Sequence, residues 1–325
     1  MLKFGSTHFK GDVEVPLDAR TLPPDVNWID AIRPTESEIA FLQESLGIAV
    51  PTLEELSEIE SSSRLYTEHG YLFMSMPMIA KLNGGLPRTT PLGFVLGREI
   101  ALTIRFDEIK ACEDLHHAKV YENDRGPSGP NALIMVLEAI IDSMADELEK
   151  VNAEIDALSQ AIFDQGKTND MIRDNAVLKH SLRAISANGY LTAKISDALL
   201  GSSRLLAFVA GEAKSILSGE ENGKLKSLSR DVASLIEYTR SQNDRLQLLL
   251  DATLGLTNIE QNNIFRLLTV VSVIGIPPTL VASMYGMNFK NMPELDWAFG
   301  YEWGLALIVL SALIPAIWFK RRGWW

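Results

Sequence analysis

Residues 267–285 carry no formal charge, and nineteen residues of helix rise about 28 Å, the depth of a bilayer's hydrocarbon core. A second uncharged run, residues 303–319, gives about 25 Å and is closed by Lys320-Arg321-Arg322. A bilayer accepts a chain only as helices or a closed barrel, because exposed backbone groups find no partner there. Two such runs, joined by a short polar loop, predict a helical membrane hairpin behind a large polar body.

The overall balance, 46% hydrophobic and 22% charged, hides this asymmetry, because the apolar excess sits at the C-terminal end. A net charge of −12 disfavours nucleic acid as a partner and suits attraction of cations. The single cysteine, Cys112, excludes an internal disulfide framework and fits a reducing compartment. Met1-Leu2-Lys3-Phe4-Gly5-Ser6 lacks a signal-peptide core, so the polar body is expected to stay where it is made. Between the runs Lys290 faces Glu294 and Asp296, whereas Arg266 and Lys320, Arg321 and Arg322 flank them outside. The positive-inside rule then makes both termini cytoplasmic, with aromatic belts at Trp297, Tyr301 and Trp303 and at Trp318, Trp324 and Trp325.

Along the body, strands are expected at 28–30, 71–79 and 92–104, with a hairpin turn at Asn83-Gly84-Gly85. Short helices with threonine caps are expected at 35–46 and 52–62. These make residues 1–125 a cytoplasmic α/β domain, ended by Gly126-Pro127-Ser128-Gly129-Pro130. The next segment reads as a helical hairpin over 131–223. Its first helix carries a heptad seam of Leu137, Ile141, Met144, Leu148, Val151, Ile155, Leu158 and Ile162 and ends at Gly166-Lys167. Its acidic residues Glu138, Asp142, Asp146 and Glu147 read as a solvated face. A second helix is expected over 170–209, then a turn at 219–223. A third seam, Leu225, Leu228, Val232, Leu235, Thr239, Gln242, Leu246, Leu249, Thr253 and Leu256, runs into the first span without a Gly-Pro break. One helix is therefore expected from 224 to 285, about 90 Å long and suited to oligomerisation, with a break at Gly255 as the alternative. The expected parts are a stalk over 224–263, a first transmembrane helix over 264–286 and an external loop over 287–300. A second transmembrane helix over 301–320 and a basic tail over 321–325 complete the chain.

On a helical wheel Thr269, Ser272, Thr279 and Ser283 fall within about 100°, with Asn262 at the edge of that sector. Phe265 and Ile276 share the sector and Leu268 lies just outside it. Such a stripe either packs against another helix or lines a pore built from several copies. In a pore the hydroxyls would leave a wet path that rings of Phe265, Leu268 and Ile276 narrow. Pro277-Pro278 removes two backbone donors and permits a bend. Gly286 with Asn288 reads either as a helix cap or as an ion site. The second reading rests on Mg²⁺, which keeps its waters and is met well by neutral amide carbonyls that bind without trapping it.

Tyr285-Gly286-Met287-Asn288-Phe289, Met292-Pro293-Glu294-Leu295 and Lys320-Arg321-Arg322-Gly323-Trp324-Trp325 together resemble the CorA-type magnesium and cobalt transporters. Pro277-Pro278-Thr279-Leu280-Val281-Ala282-Ser283 and Asn258-Ile259-Glu260-Gln261-Asn262 are similar to that family too. More loosely, so are Trp28-Ile29-Asp30 with Pro34, and Glu58-Ile59-Glu60-Ser61-Ser62-Ser63-Arg64. The resemblance covers the whole chain. It implies an α+β membrane protein in the inner (cytoplasmic) membrane, assembled as a funnel-shaped homopentamer with the first spans around the pore and the second outside. Gly286, Met287 and Asn288 then correspond to the external selectivity site. Asn262, Phe265, Leu268 and Ile276 match positions of the pore face, and Phe265 and Ile276 replace the Met of some relatives. Glu294 and Asp296 read either as solvated loop charge, the simpler explanation, or as residues that gather cations outside. The family further implies closure by cytosolic Mg²⁺ between subunits, for which Asp231 is the best match, with Asp107 or Glu108 of a neighbour as its partner.

The expected function is Mg²⁺ influx, with Co²⁺ and then Ni²⁺ as further candidate ions, without an organic cofactor. The membrane potential would drive it, at about 2.3 kcal/mol per charge per 100 mV and roughly twice that for a divalent ion. The alternatives are a zinc transporter of the same superfamily, against which the Met292-Pro293-Glu294-Leu295 loop weighs, and a sensor or scaffold anchored by the hairpin. An enzyme is not expected. Gly166-Lys167-Thr168 lacks the earlier glycine of a phosphate loop, since Ala161 stands there. Cys112, Glu113, Asp114, His116 and His117 could suit zinc, but without a second ligand pair they read as an exposed charged helix.

Overall fold

The structure, a computed structural model, describes residues 1–6, 22, 26–58, 60–80, 87–117, 129–163, 171–288 and 292–324. It divides into two compact units, Met1–Leu250 and Asp251–Trp325.

The first unit is built on a six-stranded sheet. Its strands are β1 (Leu2–Ser6), β2 (Val26–Ile32), β3 (Leu65–Glu68), β4 (Tyr71–Ile79), β5 (Thr89–Leu96) and β6 (Ala101–Arg105). They lie in the order β1-β2-β6-β5-β4-β3, and every pairing is antiparallel except β2 with β6. Alternation along β4 sorts two cores, as the period-two geometry of a strand requires. Leu72, Met74, Met76 and Met78 join the cluster that contains α5 (Gly129–Phe163) and α6 (Met171–Glu212). Phe73 turns to the opposite face with Ile29, Val95 and Ile104, against Phe41 and Leu42 of α1 (Glu36–Leu46). The result is a sheet covered by helices on both faces.

Local chemistry sets several boundaries. Thr35 and Thr52 each close a capping box, with Glu38 and Glu55 respectively. The expected helix over 52–62 is instead two short ones, α2 (Leu53–Leu56) and α3 (Ser61–Arg64). The expected strand over 92–104 is likewise two, because Gly97 N–H donates to Ile100 O at 2.9 Å and folds β5 back onto β6. The turn at Asn83-Gly84-Gly85, the break at Gly166-Lys167 and the first three residues of the break at Gly126-Pro127-Ser128-Gly129-Pro130 lie outside the described residues, while Gly129 and Pro130 already belong to α5. The expected turn at 219–223 is already helical, so α7 is Gly219–Tyr285 rather than starting at 224. Ser218 N–H donates to Glu221 Oε2 at 2.6 Å and Glu221 N–H to Ser218 Oγ at 3.2 Å, a capping box that overrides the two glycines. The helix continues through Gly255 without the alternative break.

All eight residues of the α5 seam are buried. Glu138, Asp142 and Asp146 are exposed, and half-buried Glu147 pairs with Lys150 at 2.6 Å. On α7, Leu225, Leu228, Val232, Thr239, Gln242, Leu246 and Leu249 are buried. Gln242 Nε2 donates to Leu148 O at 2.8 Å, and Arg245 reaches Asn152 at 2.7 Å and Asp156. These polar contacts hold α7 in one register along α5.

The expected exposed helix around Cys112 is α4 (Lys110–His117), and the structure overturns its exposure. Asp30 and Arg105, both fully buried, form a hydrogen-bonded ion pair of 2.9 Å, and His116 Nε2 lies 2.9 Å from Asp30 Oδ2. The Trp28 ring stacks on His116 at 4.9 Å, and the Thr103 hydroxyl donates to Asp30 at 2.7 Å. Arg105 also meets Glu113 at 2.8 Å, so Glu113 and His116 turn inward to a buried network while Lys110 and Asp114 stay exposed. Burial works to raise the Asp30 carboxyl, but His116 and Arg105 hold it below the ordinary carboxylate value. Burial pushes the Cys112 thiol up to about 12, so it is a neutral thiol at neutral pH.

Asp30→Ala is expected to destabilise the protein by about 3–5 kcal/mol in urea titration, because it strands a buried guanidinium. Asp30→Leu combined with Arg105→Met should cost far less. Because the folded carboxyl lies below its unfolded value of about 3.9, the wild-type contribution is complete above that pH. It should be lost on acidification through the lower folded value.

Candidate functional site

The second unit holds the candidate site. Its apolar part of α7 and all of α8 (Gly300–Arg321) are long and apolar enough to cross a membrane. Phe265, Leu268 and Ile276 are 56%, 62% and 63% exposed. Asn262, Thr269, Thr279 and Ser283 are exposed as well, and Ser272 is half-buried. The other faces of the segment are equally open, at Leu267, Val271 and Leu280. Exposure therefore does not single out the stripe. Its hydroxyls do, since Leu and Val suit lipid whereas Ser and Thr require protein, water or their own backbone.

Part of that requirement is met locally. Thr269 Oγ1 donates to Phe265 O and Thr279 Oγ1 to Gly275 O, each at 2.8 Å. Each donor is thereby used, and the hydroxyl oxygen keeps lone pairs for a donor from outside, such as a water. Pro277 and Pro278 withdraw the N–H groups that would bond the carbonyls of Val273 and Ile274. The helix nevertheless continues to Tyr285.

At the end of α7, Gly286 N–H donates to Ala282 O at 3.0 Å and Met287 N–H to Met284 O at 3.3 Å. Gly286 does not take the left-handed conformation that an ordinary glycine cap adopts. Met287 and Asn288 are exposed, and the Asn288 amide makes no hydrogen bond to another described residue.

Residues Pro293–Asp296 then form a tight 3₁₀ turn. A Cβ on Gly300 would lie 2.2 Å from the Glu294 carbonyl oxygen, so only glycine lets this turn rest on the start of α8. Gly286 and half-buried Glu294 line one cleft of about 460 Å³ with Ala282, Tyr285, Tyr301 and Gly304. Of the expected selectivity residues Gly286 thus lies with Glu294 of the outer loop, whereas Met287 and Asn288 do not line this cleft.

Asp231 lies exposed on α7 in the first unit. Its suggested partner Asp107 is engaged within the chain, by Arg88 at 2.5 Å and Arg33 at 3.4 Å. Among the described residues no group of three or more His, Cys, Asp or Glu is placed to hold a metal. Sequence reading missed the Asp30–Arg105 network; the available signal was a charged residue in each of two apolar strands.

Comparison with known proteins places this geometry in a class. A family model described as CorA-like Mg²⁺ transporter protein matches residues 24–321. The magnesium transport protein CorA of Sodalis glossinidius (strain morsitans) is 32% identical over 310 residues, 92% of each chain. The complete CorA magnesium transporter of Methanocaldococcus jannaschii superposes with a TM-score of 0.72 at 22% identity, over 100% of this chain and 98% of that one. The cytoplasmic domain of ZntB from Vibrio parahaemolyticus shares the fold at 13% identity, over 79% of this chain and 97% of that one, with a TM-score of 0.57. The fold is therefore that of a membrane transporter with an N-terminal α/β domain, a long helix and two C-terminal apolar helices. The chain belongs to the CorA-like magnesium transporter family.

Gly300→Ala is expected to displace the 293–296 turn and lower stability by about 1–3 kcal/mol in thermal denaturation. Gly304→Ala, whose Cβ meets nothing within 4 Å, should be neutral or slightly stabilising.

Proposed function

We propose that the chain assembles as a homopentameric channel of the inner membrane and admits Mg²⁺ down the membrane potential, with Co²⁺ and Ni²⁺ as further substrates. The observation that carries this reading is the single helix face bearing Asn262, Phe265, Leu268, Thr269, Ser272, Ile276, Thr279 and Ser283, within a family match over 24–321. One helix cannot enclose a path, so copies of that face meet around an axis. Hydroxyls with free lone pairs line the wet stretches, and Phe265, Leu268 and Ile276 form the constrictions. Gly286, Met287 and Asn288 form the outer entrance, where the unengaged Asn288 amide accepts hydrogen bonds from the waters around the ion. Glu294, which shares a cleft with Gly286, raises the local cation concentration. Both termini lie in the cytoplasm, following the distribution of Arg266, Lys320, Arg321 and Arg322.

In this scheme residues 1–125 are the cytoplasmic domain, α5 and α6 the hairpin, α7 the stalk up to residue 263 and the pore helix beyond it, 287–300 the outer loop, α8 the outer helix and the residues after it the tail. Cytosolic Mg²⁺ closes the pore through Asp231 and a carboxylate of the adjacent subunit. Asp107 or Glu108 is the suggested carboxylate, and two arginines of its own chain already balance Asp107.

In liposomes under an inside-negative potential, Asn288→Ala is expected to reduce Mg²⁺ entry at least tenfold, a loss of about 1.4 kcal/mol or more in the barrier. Retained flux would leave the hairpin as an anchor for a sensor or scaffold. Faster Zn²⁺ than Mg²⁺ entry would favour the zinc reading. Asp231→Ala should remove the protection that Mg²⁺ gives against limited proteolysis while leaving assembly intact.

A further inference from the structure

At the end of β4 the first unit holds a cavity of about 250 Å³. Four elements meet around it: the end of β4, the start of α4, and the middles of α5 and α6. Its floor is hydrocarbon and thioether, from Met78, Ala80, Ile109, Met144 and Ile195, all of them buried. A buried water needs about two to four polar partners, which this floor does not supply, so the space suits an apolar body. The two methionines can repack around a chain of variable shape. Pockets for drug-sized ligands hold about 300–1,000 Å³, so the occupant of this one is small.

The rim is polar, and its charge is one-sided. Lys110, the first residue of α4, is exposed, and among the described residues its ammonium pairs with no carboxylate. Glu147, the only acidic residue described in the lining, is taken up by Lys150 at 2.6 Å. The first bonds of α4 run from Cys112 N–H and Glu113 N–H to Ile109 O, each at 3.1 Å. The N–H groups of Lys110 and Ala111 precede them and have no acceptor within the helix. Half-buried Ser143 adds a hydroxyl from α5. An apolar floor with a cationic, donor-rich rim complements a molecule with a hydrocarbon tail and an anionic head.

We infer that this cavity is a binding site for a short aliphatic carboxylate. Its tail lies on Met78, Met144 and Ile195, and its head meets Lys110 and the first N–H groups of α4. A ligand seated there touches the sheet, α4 and both long helices, and so stabilises their junction. The whole lining belongs to Met1–Leu250, so the inference does not depend on the membrane hairpin or on transport.

The test is photolabelling of the full-length protein with octanoate that carries a diazirine in its tail, the cross-linked peptides being read by mass spectrometry. The wild type is expected to label in the peptides that hold Met78, Met144 and Ile195, and plain octanoate should compete the label away. Octanol, which keeps the tail without the charge, should compete roughly tenfold less well. Lys110→Gln should lower the labelling by roughly tenfold as well, while Lys110→Arg keeps most of it. Ser143→Phe, which fills the space from α5, should abolish it. Lys110 is exposed, so its variants test the site even where the filled variant fails to fold. Label that is absent from the lining peptides overturns the cavity as a site. Equal labelling of the wild type and Lys110→Gln, or equal competition by octanol, overturns the carboxylate as its ligand.

Discussion

Hydrocarbon offers no hydrogen bonds, and this single lack governs the second unit. Every polar group there must find its partner in the chain, in a neighbour or in enclosed water. The threonines of α7 turn their protons to the preceding helical turn, and the helix survives two adjacent prolines. The ends of the apolar runs show the same economy. Near the outer loop a 3₁₀ turn is folded tightly onto α8, and at the other end a paired reversal satisfies the last carbonyls.

The first unit solves the opposite problem. Its sheet is covered on both sides, and the parallel pair β2–β6 lies inside it. Charge enters that interior as a cluster, with Asp30 paired to Arg105 and His116, Arg105 paired also to Glu113, and Thr103 and Trp28 as neutral support. Such a group adds little net stability over an apolar one, but it penalises any displacement of α4 from the sheet. Gln242 and Arg245 act similarly along the helices, fixing a register that leucines alone would leave tolerant of slippage.

Periodic features were legible in the sequence. The α5 seam, the α7 seam, the β4 strand and the two apolar runs are all repeats of a regular geometry, and each emerges as an element of the expected kind. What escaped was set by contacts between distant segments or by competing local signals. Asp30 and Arg105 are 75 residues apart, and nothing local says that α4 will turn Glu113 and His116 toward them. The glycines at 219 and 223 read as a turn because the Ser218–Glu221 box was not weighed against them. At the candidate site, Gly286 and Asn288 were visible as a motif. That Gly286 is not a left-handed cap required the backbone.

The contact between Gly300 and the Glu294 carbonyl has a consequence for electrostatics. A loop of this kind is ordinarily a slack tether whose charges average over many positions. Here the acidic turn is seated on a helical tip, so its carboxylates travel with α8 as one piece. On the proposed function, the field at the mouth is therefore set by the orientation of a peripheral helix, and a tilt of that helix retunes the ion supply even if the lining of the path stays still.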